Sequence, residues 1–350
     1  MEPFNPPFQQ VYKKLFDNQL VNDNNYEPYP KSIIEIEEAL GDVKENEFEL
    51  PLIDLSRLNR GGFETERCKR EIAEASREWG FFQVVNHGVP HEILEKMRCE
   101  QRQAFMKPFH EKVNGHAGLN FPAGSYRWGT PSATCLRQLA WSEAFHVPLT
   151  EISTTDGVTG LSMTMKQYAT IISNLADKVA EILAEKLGQK PNIFKENCMP
   201  SMCYLRMSRY PACPVSPHVF GLMPHTDSDF LTILNQDHIG GLQLLKNGKW
   251  IDVKPKREIL IVIIGDLFQV WSNDVYKSVV HRVVANKHFE RFSTAYFLCP
   301  SYETVIESCG ESSNYMPFNF REYKQQVQDD VKRFGNKVGL PRFILLPGPK

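Results

Sequence analysis

From Cys203 to Leu298 the chain breaks into short apolar runs with turn signals every eight to twelve residues, a rhythm that points to an antiparallel sandwich or barrel. The runs are Cys203–Tyr210, Phe230–Leu234, Leu242–Leu245, Trp250–Val253, Ile259–Ile264, Ser278–Val284 and Phe292–Leu298. Asn247-Gly248 stands between two of them and marks a hairpin, because both residues tolerate positive φ.

The half before this point reads differently. Leu50–Leu55 predicts a short strand. Thr65 is placed to N-cap a helix running to Trp79 and stopped by Gly80. Phe81–Asn86 predicts a second strand, and Pro90 the first turn of a helix reaching about Met106. Residues 110–160 read as irregular and aromatic, the kind of long loop that in compact domains serves function or is disordered. Ile171, Leu175, Val179, Ile182, Leu183 and Leu187 recur at helical spacing between Met163 and Leu187, with Gly188 at the C-cap, and predict a helix supporting a sheet. Residues 320–335 return to helix. Pro3, Pro6, Pro7, Pro28 and Pro30 interrupt the start. The expected organisation is a loosely ordered lead-in over 1–48, a mainly helical region over 49–200, a β core over 201–305 and a C-terminal helix and tail over 306–350, an α+β chain.

Composition narrows the function. Forty basic residues against 42 acidic ones leave a formal charge of −2, which gives no electrostatic case for nucleic acid or an anionic membrane. The longest aliphatic run, Ile259–Ile264, is far short of the ~20 residues of a membrane helix. The first ten residues lack the apolar stretch of a signal peptide, and the eight cysteines form no C-x-x-C pair, which fits a reduced compartment. The expectation is a soluble, unexported protein of cytoplasm or nucleus, with no nucleic-acid or membrane partner.

His225-Thr226-Asp227 puts an imidazole and a carboxylate on one face if the stretch is extended. His281 lies 54 positions after Asp227 in another predicted strand, between Val279 and Val283 on an apolar face. Two imidazoles and one carboxylate converging in a barrel mouth make a facial triad for Fe(II) that leaves coordination positions free for oxygen chemistry. An isolated H-x-D is common and carries little; an ordinary pair of loop residues is the alternative. Ten residues beyond His281, Arg291 and Ser293 share a strand face. An inward guanidinium needs an anion, which a dicarboxylate supplies through charge-assisted hydrogen bonds. The plain alternative is a strand arginine paired within the protein.

These residues, with Trp79-Gly80-Phe81-Phe82, Asn86-His87-Gly88, Arg209-Tyr210-Pro211-Ala212-Cys213-Pro214 and the H-R-V at His281, resemble the plant 2-oxoglutarate-dependent dioxygenases over nearly the whole chain beyond residue 48. Gly124–Pro131, Trp141–His146, Leu222–Leu231 and Cys299-Pro300-Ser301-Tyr302 look most like the gibberellin 2-oxidases of the branch acting on twenty-carbon gibberellins. The resemblance implies a double-stranded β-helix (jelly-roll) core with supporting helices, with iron on His225, Asp227 and His281. It implies that Arg291, the candidate catalytic residue, and Ser293 hold the distal carboxylate of 2-oxoglutarate, with Tyr210 donating a further hydrogen bond. Three positions depart from the family pattern: Ser208 and Ile263 stand where Asn is usual, and Val280 where close relatives often carry Glu.

The implied reaction consumes O2 and 2-oxoglutarate, releases succinate and carbon dioxide, and 2β-hydroxylates a gibberellin or its twenty-carbon precursor, inactivating it. Tyr126, Arg127, Trp128, Phe145 and Tyr302 are the candidate substrate contacts, an aromatic wall with one cation for an apolar acid; packing over the core is the alternative for each. Three rivals stay open here. One is a plant oxygenase for another gibberellin carbon, a flavonoid or an alkaloid. Another is a β-sandwich binding module that merely retains a metal. The third, a zinc hydrolase, would need a motif such as H-E-x-x-H, which is absent.

Overall fold

The computed structural model describes residues 3–19, 50–115, 121–122, 124–153, 160–190, 193–197, 202–215 and 219–345. Its strands are β1 (Leu52–Asp54), β2 (Phe81–Val85), β3 (Tyr126–Trp128), β4 (Glu143–Pro148), β5 (Tyr204–Tyr210), β6 (Phe220–His225), β7 (Leu231–Gln236), β8 (Leu242–Lys246), β9 (Lys249–Asp252), β10 (Leu260–Ile264), β11 (His281–Val284) and β12 (Arg291–Leu298). They form an eight-stranded sheet in the order β1-β2-β10-β7-β12-β5-β4-β3 and a four-stranded sheet β6-β11-β8-β9. Apart from the parallel β1–β2 pair, every pairing in the two sheets is antiparallel. This is the α+β jelly roll that the strand rhythm and the resemblance implied.

The fully apolar run Leu260–Ile264 becomes a central strand buried along its whole length. The helix Gly160–Lys186 packs on β12 and β7 and on the helices Gly62–Glu78 and His91–Phe105, which makes it the support expected from its periodicity. Asn247 and Gly248 adopt φ of 51° and 76° and close the β8–β9 hairpin. Gly80 combines a φ of 61° with close approach: a Cβ there would lie 1.9 Å from the carbonyl oxygen of Lys277.

Several expectations need correction. Thr65 does not cap a helix; it lies inside Gly62–Glu78, and its hydroxyl donates to the carbonyls of Arg57 and Leu58. Positive φ at Gly61 and Gly62 starts that helix instead. Residues 110–160 are not a long loop, since β3 and β4 lie within them and complete the large sheet. The sheet therefore draws strands from both sides of position 200, itself outside the described residues. Of the lead-in 1–48, residues 3–19 are packed rather than loose: Phe8 stacks on Trp141 at 4.4 Å and meets Trp128 edge-on at 5.5 Å. The rest of that lead-in, including the Glu-rich stretch, lies outside the described residues.

Candidate active site

The predicted triad converges. His225 ends β6 and His281 begins β11, and the two are register partners. Their rings are 4.3 Å apart, and each Nε2 lies 3.7 Å from Asp227 Oδ1. All three candidate ligand atoms fall within 4.8 Å of one another. The Nδ1 of His225 donates to the Met223 carbonyl at 2.7 Å, and that of His281 to the Val279 carbonyl at 3.1 Å. Those bonds fix the tautomers and leave both Nε2 lone pairs facing the carboxylate. Burial, and then His281, pushes His225 down to about 3, so it stays neutral. Burial opposes the charge on Asp227, but the two imidazoles and a hydrogen bond from Thr232 outweigh it and hold the carboxyl below its ordinary range. Burial and the Asp227 charge hold Asp229 well above the usual range, so negative charge concentrates on Asp227. Two imidazoles and one carboxylate are the donor set that suits Fe(II).

The H-x-D segment is held from three sides by residues that no sequence motif disclosed. Thr232 Oγ1 donates to Asp227 Oδ2 at 2.7 Å. Asp266 N donates to the Asp227 carbonyl at 3.0 Å, at the start of the helix Asp266–Trp271. Gly265 makes this possible, because a Cβ there would meet the Asp229 carbonyl oxygen at 2.1 Å. Lys337, from beyond the C-terminal helix, reaches the Thr226 carbonyl at 2.9 Å, Ser228 Oγ at 2.7 Å and Asp266 Oδ2 at 2.5 Å. Tyr323 donates to the same Asp266 carboxylate.

Arg291 is 2% exposed and has no carboxylate partner among the described residues. Its side chain donates to Gln236 Oε1 at 2.9 Å and Ser293 Oγ at 3.3 Å, lies 4.9 Å over the Tyr210 ring, and keeps a buried Nε with no hydrogen-bond partner. A buried guanidinium with a spare donor fits a bound carboxylate. Register puts it on the metal's face of the sheet. Thr232, bonded to Asp227, pairs with Phe297; Gln236 pairs with Ser293, two residues from Arg291 on β12. Ser208 shares that face as the partner of Ser293, and its hydroxyl accepts from Arg206. Ile263 pairs with Thr232, and the Val280 carbonyl accepts from Leu245, so neither departure displaces a ligand.

The substrate candidates divide. Strand alternation turns Tyr126, Trp128 and Phe145 away from the metal's face. Tyr126 donates to Glu143, Phe145 packs on Phe105 at 5.0 Å, and Trp128 meets Phe109 at 5.3 Å, so these three belong to the core beneath the sheet and the structure does not bring them to the site. Arg127 points the other way, as the register partner of Ala144, itself paired with Ser208. Tyr302 stacks on Phe320 at 5.9 Å, with Lys324 at 5.4 Å over its ring.

A jelly roll with a two-histidine, one-carboxylate centre and, on the same face, a buried arginine without a carboxylate partner among the described residues defines an iron oxygenase with an acidic cosubstrate. Comparison with known proteins agrees. Residues 197–300 match the 2OG-Fe(II) oxygenase superfamily, and residues 50–157 match the non-haem dioxygenase in morphine synthesis N-terminal family. The chain is 56% identical to gibberellin 2-beta-dioxygenase 8 of Arabidopsis thaliana, over 97% of this chain and 98% of that one. It is 50% identical to gibberellin 2-beta-dioxygenase 6 of Oryza sativa subsp. japonica, over 85% and 86%. The crystal structure of JOX2 in complex with 2OG, Fe and JA superposes with a TM-score of 0.71 at 29% identity, covering 91% of this chain and 99% of that one. The chain belongs to the 2OG-Fe(II) oxygenase superfamily and is a 2-oxoglutarate-dependent dioxygenase that uses Fe(II). No helix among the described residues is long and apolar enough to cross a membrane.

Proposed function

We propose that the protein is a gibberellin 2β-hydroxylase that inactivates gibberellins or their twenty-carbon precursors, acting in cytoplasm or nucleus without a nucleic-acid or membrane partner. In this reading His225, Asp227 and His281 hold iron, and Arg291, Ser293 and Tyr210 hold the distal carboxylate of 2-oxoglutarate. The observation that carries the chemistry is the buried Arg291, without a carboxylate partner among the described residues, on the metal's face of the sheet. The gibberellin assignment is supported by the near full-length similarity to gibberellin 2-beta-dioxygenases.

Iron held by His225, Asp227 and His281 would supply the oxidative chemistry that couples decarboxylation of the cosubstrate to hydroxylation of an unactivated C–H bond. The chain's own residues do the rest. The carbonyls of Met223 and Val279 accept from the Nδ1 of each imidazole and turn both Nε2 atoms toward Asp227. Thr232 ties down one oxygen of Asp227 and leaves the other for the metal. Phe81, 6.4 Å from the His281 ring, closes one side with hydrocarbon and keeps water off it.

The test is anaerobic reconstitution with Fe(II) and 2-oxoglutarate, then oxygen and a panel of gibberellins that includes twenty-carbon precursors, with succinate measured and products identified. A 2β-hydroxylated product formed in step with succinate is expected. Coupled turnover of a flavonoid or alkaloid instead, or oxidation at another gibberellin carbon, would sink the assignment.

A further inference from the structure

Beyond the cosubstrate anchor the metal's face of the large sheet continues onto β5, β4 and β3. Register aligns its side chains in rows. One row runs Thr232, Phe297, Tyr204; the next runs Leu234, Ala295, Arg206, His146; the third runs Gln236, Ser293, Ser208, Ala144, Arg127. Three rings along this surface are stacked. Tyr204 lies on Phe297 at 4.4 Å and 12° and on His146 at 3.9 Å and 20°. The stack begins beside the metal centre, since Phe297 pairs with the Thr232 that holds Asp227. It ends among cations.

Arg206 is the register partner of His146, and Arg127 that of Ala144, the residue two before His146 on β4. Lys324 comes from the helix Phe320–Phe334, over Tyr302. Among the described residues none of the three pairs with a carboxylate, and Arg206 Nε has only the Ser208 hydroxyl, at 3.3 Å. Burial and then these three charges push His146 down to about 3, so the imidazole is a neutral ring of the stack and not a fourth cation. Three like charges gathered without an anion are unfavourable by themselves and complement one that arrives.

We propose that Arg206, Lys324 and Arg127 form the substrate's carboxylate subsite, and that the Phe297–Tyr204–His146 stack is the ledge on which its apolar body lies, with the carbon to be oxidised at the triad end. The substrate class that fits is a rigid, largely hydrocarbon polycycle bound as its carboxylate anion. This rests on the gibberellin reading and refines it: the acid, and not its neutral ester, is the form recognised.

The experiment measures anaerobic binding of a twenty-carbon gibberellin acid and of its fully methylated ester to the holoprotein by calorimetry, with product analysis after oxygen is admitted. The acid is expected to bind at least about tenfold more tightly than the ester, the value of one charge-assisted hydrogen bond. Arg206→Gln and Lys324→Gln should each weaken the acid by about tenfold and leave the ester within about twofold. Arg206→Lys should recover most of the loss, which a folding defect would not allow. Acid-selective, Arg206-dependent binding without a 2β-hydroxylated product would keep the subsite and remove the proposed reaction. A 2β-hydroxylated product with binding indifferent to Arg206 and Lys324, or equal losses for acid and ester, would remove the subsite and keep the reaction. No binding of the acid would remove both.

Discussion

Arg291 is the residue at which the fold's own stability and the chemistry pull apart. Its guanidinium is buried over Tyr210 with one donor unused, so in the absence of cosubstrate it costs the fold and does not support it. Arg291→Gln is therefore expected to leave the melting temperature of the cosubstrate-free protein unchanged or higher. It should also abolish most of the upward shift that 2-oxoglutarate gives the wild type, by the linkage of binding to stability. Thermal melts with and without 2-oxoglutarate read both signs at once; a variant destabilised without ligand and still shifted by it would contradict the anchor. His146 makes a second residue-scale prediction. Its folded pKa lies at about 3, below the unfolded value near 6.5, so between those limits the unfolded chain binds a proton that the folded chain does not. Stability at His146 then rises with pH and is lost as pH falls below about 6.5, by at most about 1.4 kcal/mol per pH unit. His146→Phe, which keeps a ring on Tyr204, should shrink the drop in denaturant midpoint between about pH 7.5 and pH 5; an undiminished drop would place the titration elsewhere.

At the scale of elements, what could be read in the sequence was what repeats. The helix Gly160–Lys186, the hairpin at Asn247-Gly248 and the buried strand Leu260–Ile264 all follow from side-chain period or turn chemistry. The strand that carries His225 did not, because Gly221 and Pro224 break its apolar pattern. Gly221 has a tertiary reason to be there: a Cβ would meet the Tyr210 ring at 2.6 Å. Strands β3 and β4 were hidden for a related reason, since their aromatic residues pack on distant helices and not on neighbours in sequence. The triad and Arg291 were legible through spacing, whereas Arg206 of β5 and Lys324 of the C-terminal helix gain meaning only when the fold brings both charges to bear on His146 of β4. The C-terminal clamp on the H-x-D segment was likewise invisible, because Lys337 stands more than a hundred residues from what it holds. Its bonds to Thr226, Ser228 and Asp266 fix the backbone beside Asp227, so Lys337→Met should weaken metal affinity by about tenfold, a magnitude typical of lost outer hydrogen bonds around a metal site. Cobalt(II) titration by absorbance checks this without turnover. Unchanged affinity with only a lower melting temperature would make the clamp purely structural.

Across the whole molecule, the far side of the sheet is held by charge. Glu143 of β4 is fully buried between Lys112, whose Nζ is 2.5 Å from Oε2, and Arg209 of β5, whose guanidinium is 2.6 Å from Oε1. Lys112 also donates to the carbonyls of Phe4 and Phe105, and Arg209 to Asn5 and Glu290, so one ionic knot joins the first residues, the helical layer and two strands of the sheet. The opposite faces of those two strands carry Ala144, His146, Arg206 and Ser208, so the knot fixes from behind the surface proposed to hold substrate. Removing one member of a buried set leaves the others uncompensated, which costs about 3–5 kcal/mol, whereas removing a pair together costs much less. Glu143→Gln alone is thus expected to destabilise by about 3–5 kcal/mol in denaturant melts. Adding Lys112→Met to it should restore part of that stability, while Arg209 keeps its bond to Glu290. Strictly additive losses in the double variant would mean that Lys112 and Glu143 do not act as a unit.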